Sequence, residues 1–228
     1  MARVIVRAVA LPGTPLLVPG VAGAADVLAE TRAQVLDALH ELGRNAQRVV
    51  VLDCAARRSG ERRGEMRPGL EAAGVDPRWW GWAPRASAAG LPAAGVPASV
   101  ALLALDAAGW EGPVEVVELG STAVPEAAVG LARDVLAEPG TGLVVVTGAR
   151  PPLPDGVAHP PGAGAGAEGG TAGGEDASVG TAEDAVLRAL GEAWDAVARH
   201  ATGEYEARRY DVVSFRVAAD EQVATVRR

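Results

Sequence analysis

Asp53 and Cys54 stand side by side where an apolar run, residues 48–53 (RVVVLD), comes to its end. An open α/β sheet offers ligands the residues at the carboxyl ends of its strands. A carboxylate and a thiol there are chemically capable groups. Cys54 can serve as a soft metal ligand or as a nucleophile, and a nucleophilic thiol needs a neighbouring base. None of the three histidines, His40, His159 and His200, lies near it in sequence. The plainer reading of a lone cysteine is a small buried apolar side chain. No HxH or HxxxH pair is present. No metal set is therefore assigned, and Asp53, Cys54 and His159 are the residues from which one would have to be drawn. His40 falls beside the apolar face of an expected helix, a structural position. His200 ends another, where a cation meets the helix dipole with about 0.3–1 kcal/mol.

Two further clusters carry recognition chemistry. Arg57, Arg58, Arg62, Arg63 and Arg67 are interleaved with Glu61 and Glu65. Guanidinium groups grip phosphate or carboxylate bidentately, but the glutamates point to a self-neutralised, solvated face. Trp79, Trp80 and Trp82 are three of the five tryptophans. Clustered tryptophans mark an interface hot spot or cap a core with few aromatics. Residues 164–169 spell GxGxxG, yet no strand precedes the motif and no helix follows, so it is no dinucleotide loop. Gly120, Ser121 and Thr122 lie between an expected strand and helix, where an ordinary helix start explains them.

The elements that must position these residues are legible from periodicity. Buried strands are expected at residues 4–11, 48–53, 114–119 and 142–147, each a short Val-rich apolar run. Such runs suit a parallel sheet covered on both faces. Helices are expected at residues 24–42, 97–108 and 125–137, the last two opened by proline. A longer one, 181–201, begins with a Thr181/Asp184 capping box. Residues 211–218 alternate, with Val213, Phe215 and Val217 on one face, and suit an edge strand. Residues 57–95 read as irregular. Residues 150–180 are of low complexity, dominated by Gly, Ala and Pro, and residues 162–174 bury too little to order themselves. The expected fold is α/β, a three-layer αβα sandwich with a mainly parallel central sheet. It is one domain over residues 1–228 with a flexible Gly/Ala-rich insertion.

Composition narrows the function class. The formal charge is −8 and every basic residue is arginine. A reader of nucleic-acid backbones carries a basic surface, so nucleic acid is not an expected partner. No apolar run reaches the roughly 18 residues of a membrane span. The N-terminal apolar stretch is broken by Arg7 and ends in prolines, which favours a first strand over a signal peptide and a cytoplasmic protein. A single cysteine excludes an internal disulfide framework.

The order of segments resembles the class III extradiol ring-cleavage dioxygenase superfamily, subunit-B type, in its alanine-rich actinobacterial branch. The residues that carry the resemblance are PLLVP (15–19) after the first strand, AADVLAETRAQVLDAL (24–39), RVVVLD (48–53) with residues 55–60, residues 97–110, and LVVVTG (143–148). The resemblance implies ferrous iron at the carboxyl edge of the sheet, held by two histidines and a carboxylate with open positions for catechol and O₂. It also implies a third, acid/base histidine. In this chain the corresponding stretches are Pro12-Gly13-Thr14-Pro15, Asp53-Cys54-Ala55 and Gly148-Ala149-Arg150-Pro151-Pro152. None holds a histidine.

The expectation is a non-catalytic or repurposed relative without a cofactor. Its cleft, lined by Thr14, Asp53, Cys54, Thr147 and Arg150, would bind a small molecule or help dock a partner. A second reading is a metal-dependent ring-cleavage dioxygenase or related oxidoreductase using Fe(II) or another divalent metal on non-standard ligands. A third is a protein-interaction subunit using the surface of residues 79–82, in a homo- or hetero-oligomer.

Overall fold

The computed structural model describes residues 4–54, 60–85, 88–120, 123–148, 181–194, 199–205 and 208–218. Among the described residues, seven strands form one sheet: β1 (Val4–Pro12), β2 (Arg48–Asp53), β3 (Arg62–Gly64), β4 (Val114–Glu118), β5 (Thr141–Thr147), β6 (Arg199–Tyr205) and β7 (Arg208–Ala218). Their order is β3-β4-β2-β5-β1-β7-β6. The central four, β4, β2, β5 and β1, run parallel, and the flanking strands pair antiparallel. This is the α/β sandwich that the Val-rich runs imply.

Four helices among the described residues cover both faces: α1 (Ala29–Gly43), α2 (Val96–Ala107), α3 (Pro125–Ala137) and α4 (Ala182–Trp194). Strand alternation divides the core in two. Val49, Val51, Val116, Val144 and Val146 pack with Leu39 and Leu42 of α1 and with Val100 and Leu103 of α2. Val50, Leu52, Val117, Leu143 and Val145 pack with Ala128, Ala132 and Val135 of α3 and with Val186 and Leu190 of α4. Helix α2 is buried from Ala98 to Leu105 without a break, because sheet, α1 and the segment after β3 enclose it. That explains why its sequence lacks a polar face. Arg7, inside β1, is buried and donates to Leu136 O at 2.9 Å, closing the end of α3.

The expected boundaries need four corrections. Helix α1 begins at Ala29, not at residue 24, because residues 20–24 form turns after Pro19, with Gly20 and Gly23 at positive φ. The stretch after residue 57, read as irregular, contains β3, whose backbone gains partners on β4. The last helix ends its described course at Trp194. His200 is a strand residue of β6 opposite Val213, so it does not close a helix. Here strand pairing overrides helix propensity. Strand β7 is internal, lying between β1 and β6. The low-complexity segment and its GxGxxG, with Arg57, Arg58, Ser121, Thr122, Arg150 and His159, lie outside the described residues.

Candidate functional site

Register brings one row of side chains across the carboxyl ends of four parallel strands and the start of antiparallel β3. Leu11 pairs with Val146, Val146 with Asp53, Asp53 with Glu118, and Glu118 with Arg62. Directly paired residues share a face, and this row faces α2. The row passes from apolar to acidic to basic. The two carboxylates are enclosed, with Asp53 0% and Glu118 1% exposed.

A buried charge is costly unless it is paired and hydrogen-bonded. Glu118 meets both requirements. Its Oε1 accepts the backbone N–H of Gly95, the N-cap residue of α2. Its Oε2 stands 3.1 Å from Arg62 Nη1. The positive end of the helix adds to the stabilisation of the carboxylate. Arg62 also donates to Ala93 O at 2.8 Å and reaches Met66 Sδ at 3.4 Å. The close approach requires glycine at 95. A Cβ there would sit 3.0 Å from Glu118 Oε1 and 3.8 Å from Asp53 Oδ2.

Next to this lock lies a hollow of about 460 Å³ lined by Arg62, Arg67, Gly69, Glu71, Ala72 and residues 93–95. Its frame is rigid. Ser99, buried in the first turn of α2, accepts from Gly69 N at 2.9 Å and donates to Ala94 O at 3.2 Å. Arg67 and residues 92–94 form a short parallel bridge, with Arg67 N donating to Pro92 O and Ala94 N to Arg67 O, each at 2.9 Å.

The residues expected to line a single cleft divide between places. Asp53 faces α2. Cys54 packs on the other face, against the α3/α4 core. Thr147 is buried at the end of β5, and its carbonyl accepts from Gly13 N at 2.9 Å. Thr14 caps the 3-10 turn Pro15–Leu17, with its hydroxyl accepting from Leu16 N at 3.4 Å. The Cys54 thiol is pushed up to about 12 by burial, with Asp53 and Glu183 adding to the shift. Such a thiol stays protonated at neutral pH and is a poor nucleophile or ligand.

Of the arginine run, Arg63 grips Glu115 at 2.6 and 3.3 Å on the surface. Arg67 stands 3.7 Å from Glu71. Neutralisation comes from Glu115, Glu118 and Glu71, and no ion pair joins these arginines to Glu61 or Glu65 among the described residues. Trp79 is 58% exposed, with the Arg78 guanidinium 5.1 Å from its ring centre. Trp80 and Trp82 are half-buried against the α1/α2 core. The Trp loop is clamped to the PLLVP turn, where Gly81 N donates to Pro19 O at 2.7 Å.

The described residues do not fit the ferrous centre that the resemblance implies. At Gly13, in the turn that corresponds to the first histidine, a Cβ would lie 2.6 Å from Pro97 Cβ and would also strike Val146. No imidazole fits in that space. Among the described residues, no three His, Cys, Asp or Glu side chains converge as a metal site.

Sequence reasoning missed Glu118 and Gly95 as site residues and named Arg62 only within the arginine run, read as a solvated face. The available signal was that both RVVVLD and VEVVE end in an acid, which adjacent parallel strands bring together. No helix among the described residues is long and apolar enough to cross a membrane. No protein-family model and no curated protein matches the chain.

Proposed function

We propose that this chain is a repurposed, non-catalytic relative of the extradiol-dioxygenase-like α/β proteins. It binds a small molecule at the carboxyl edge of its sheet, in the hollow beside Glu118. The observation that carries the reading is the Arg62–Glu118–Gly95 lock. It fixes the start of α2 to the ends of β3 and β4 and gives the hollow a preformed wall. Binding sites are commonly preformed concavities of about 300–1,000 Å³ at the carboxyl edges of α/β sheets, and this one has that size and place. The enclosure of Asp53 and Glu118 favours a structural role over proton transfer with a bound molecule.

The test is a fragment screen read by backbone amide shifts. The reading expects hits that perturb Gly69, Ala94 and Gly95 and that disappear when Ala93→Leu fills the hollow. Hits that map elsewhere, or that ignore the filled hollow, would overturn it.

A second reading, a protein-interaction surface, is favoured by one observation: Trp79 is exposed on a loop that the Gly81–Pro19 hydrogen bond holds to the PLLVP turn. Its test is whether Trp79→Ala dissociates a complex formed by the native chain without changing its stability.

A further inference from the structure

We infer that the hollow takes a small aliphatic carboxylate, with Arg67 as the residue that receives the carboxylate group; this rests on the reading of the hollow as the binding site. Its backbone groups are largely engaged: Gly95 N by Glu118, Gly69 N and Ala94 O by Ser99, Ala93 O by Arg62, and Ala94 N by Arg67 O. Arg62 is committed to Glu118 and Ala93. Arg67 is different. Among the described residues, only Nη1 of its guanidinium atoms is engaged, donating to Pro68 O at 3.2 Å and standing 3.7 Å from Glu71, an ion pair beyond hydrogen-bond reach. Its Nη2 and Nε edge remains available, and that planar pair of donors matches a carboxylate bidentately.

The remaining lining decides the rest of the ligand. Ala72, Ala93, Ala94, Gly69 and Gly95 offer methyl groups and bare backbone, with no aromatic ring on which a flat molecule would stack. Gly69 leaves room for the Glu71 carboxylate beside Arg67, since a Cβ there would lie 2.8 Å from Glu71 Oε2, 3.3 Å from Ala93 Cβ and 3.7 Å from Arg67 Nη1. An aliphatic chain along the alanines, with its carboxylate on Arg67, satisfies both halves of the site. Glu71 is then the opposing group, because its charge on the rim repels an incoming anion.

The experiment titrates the full chain with hexanoate, hexanamide and inorganic phosphate, read by amide shifts at Gly69, Ala94 and Gly95. The inference expects hexanoate to bind, with affinity at least about tenfold weaker in Arg67→Gln and several-fold tighter in Glu71→Gln. Both residues are on the rim and exposed enough for the variants to fold. Equal hexanoate binding by Arg67→Gln, hexanamide binding as tight as hexanoate, or phosphate alone binding as tightly would each overturn the inference. Failure of hexanoate alone, with a neutral fragment still mapping to the hollow, overturns the ligand class and leaves the site standing. Failure of every compound to perturb these amides overturns both.

Discussion

Glu118, the last residue of β4, accepts the backbone N–H of Gly95, the residue that opens α2. A sheet and the helix packed on it are thereby tied at one buried point. The tie works because three positions agree. Asp53 precedes the departure toward α2, Arg62 lies on the short outer strand opposite Glu118, and Gly95 lacks the side chain that would hold the helix away. This contact forms one wall of the hollow, and the loop residues 67–72 and 93–94 form the rest.

Removing the carboxylate should show its weight. Glu118→Ala leaves the Gly95 N–H and the Arg62 guanidinium without their buried partner. It should cost about 3–5 kcal/mol, the range for breaking a buried pair. Arg62→Gln should cost less, because Arg62 is 28% exposed and water replaces part of its contact. Urea denaturation of the two variants checks the order. A Glu118→Ala cost below that of Arg62→Gln would contradict the lock.

The turn after β1 should tolerate no side chain. Gly13→Ala forces a Cβ against Pro97 and Val146. The expected cost is about 1–3 kcal/mol, the range for overpacking a filled core. Gly130→Ala is the opposite case: nothing lies within 4 Å of its Cβ inside α3. Helix propensity then favours alanine by about 1 kcal/mol. Thermal unfolding should move in opposite directions for the two.

Cys54 should impose a slope at high pH. Its thiol titrates at about 12 when folded and near the ordinary 9.0 when unfolded. Between those values the unfolded chain has lost a proton that the folded chain keeps. The contribution of the buried thiol is therefore full below about pH 9 and declines as pH rises toward 12. Cys54→Ala should flatten that decline in urea titrations. Native protein at pH 8 should also react slowly with a thiol reagent, and rapid stoichiometric labelling would contradict the burial.

The tryptophan loop should divide by residue. Trp79→Ala removes an exposed ring and should change stability by no more than about 0.5 kcal/mol. Trp82→Ala, which uncovers the α1/α2 core, should cost about 2–4 kcal/mol. Chemical denaturation of both variants measures the split.

The sheet was legible in the sequence because four Val-rich runs are too apolar to lie anywhere but between two layers. The bounds of β2 and α3 agree with their periodicity residue for residue. Strand β3 was not legible, since Arg62–Gly64 has no apolar pattern and pairs only because β4 offers an edge. The hairpin of β6 and β7 was half legible: the alternation of Val213, Phe215 and Val217 gave one strand, while the start of its partner, residues 199–201, fell in the expected helix and the remainder was unassigned. Part of the candidate site was visible in Asp53. Its neighbours were hidden, because strand order, not spacing along the chain, sets Glu118 and Arg62 beside it.

Metal content tests the central claim most directly. The protein is purified anaerobically with Fe(II) or Zn(II) supplied and analysed for bound metal after chelation. A repurposed binding protein with Gly13 and Glu118 placed as they are should retain far less than one ion per chain, and Asp53→Ala should retain the same. One chelator-resistant ion per chain, lost in Asp53→Ala, would contradict the account.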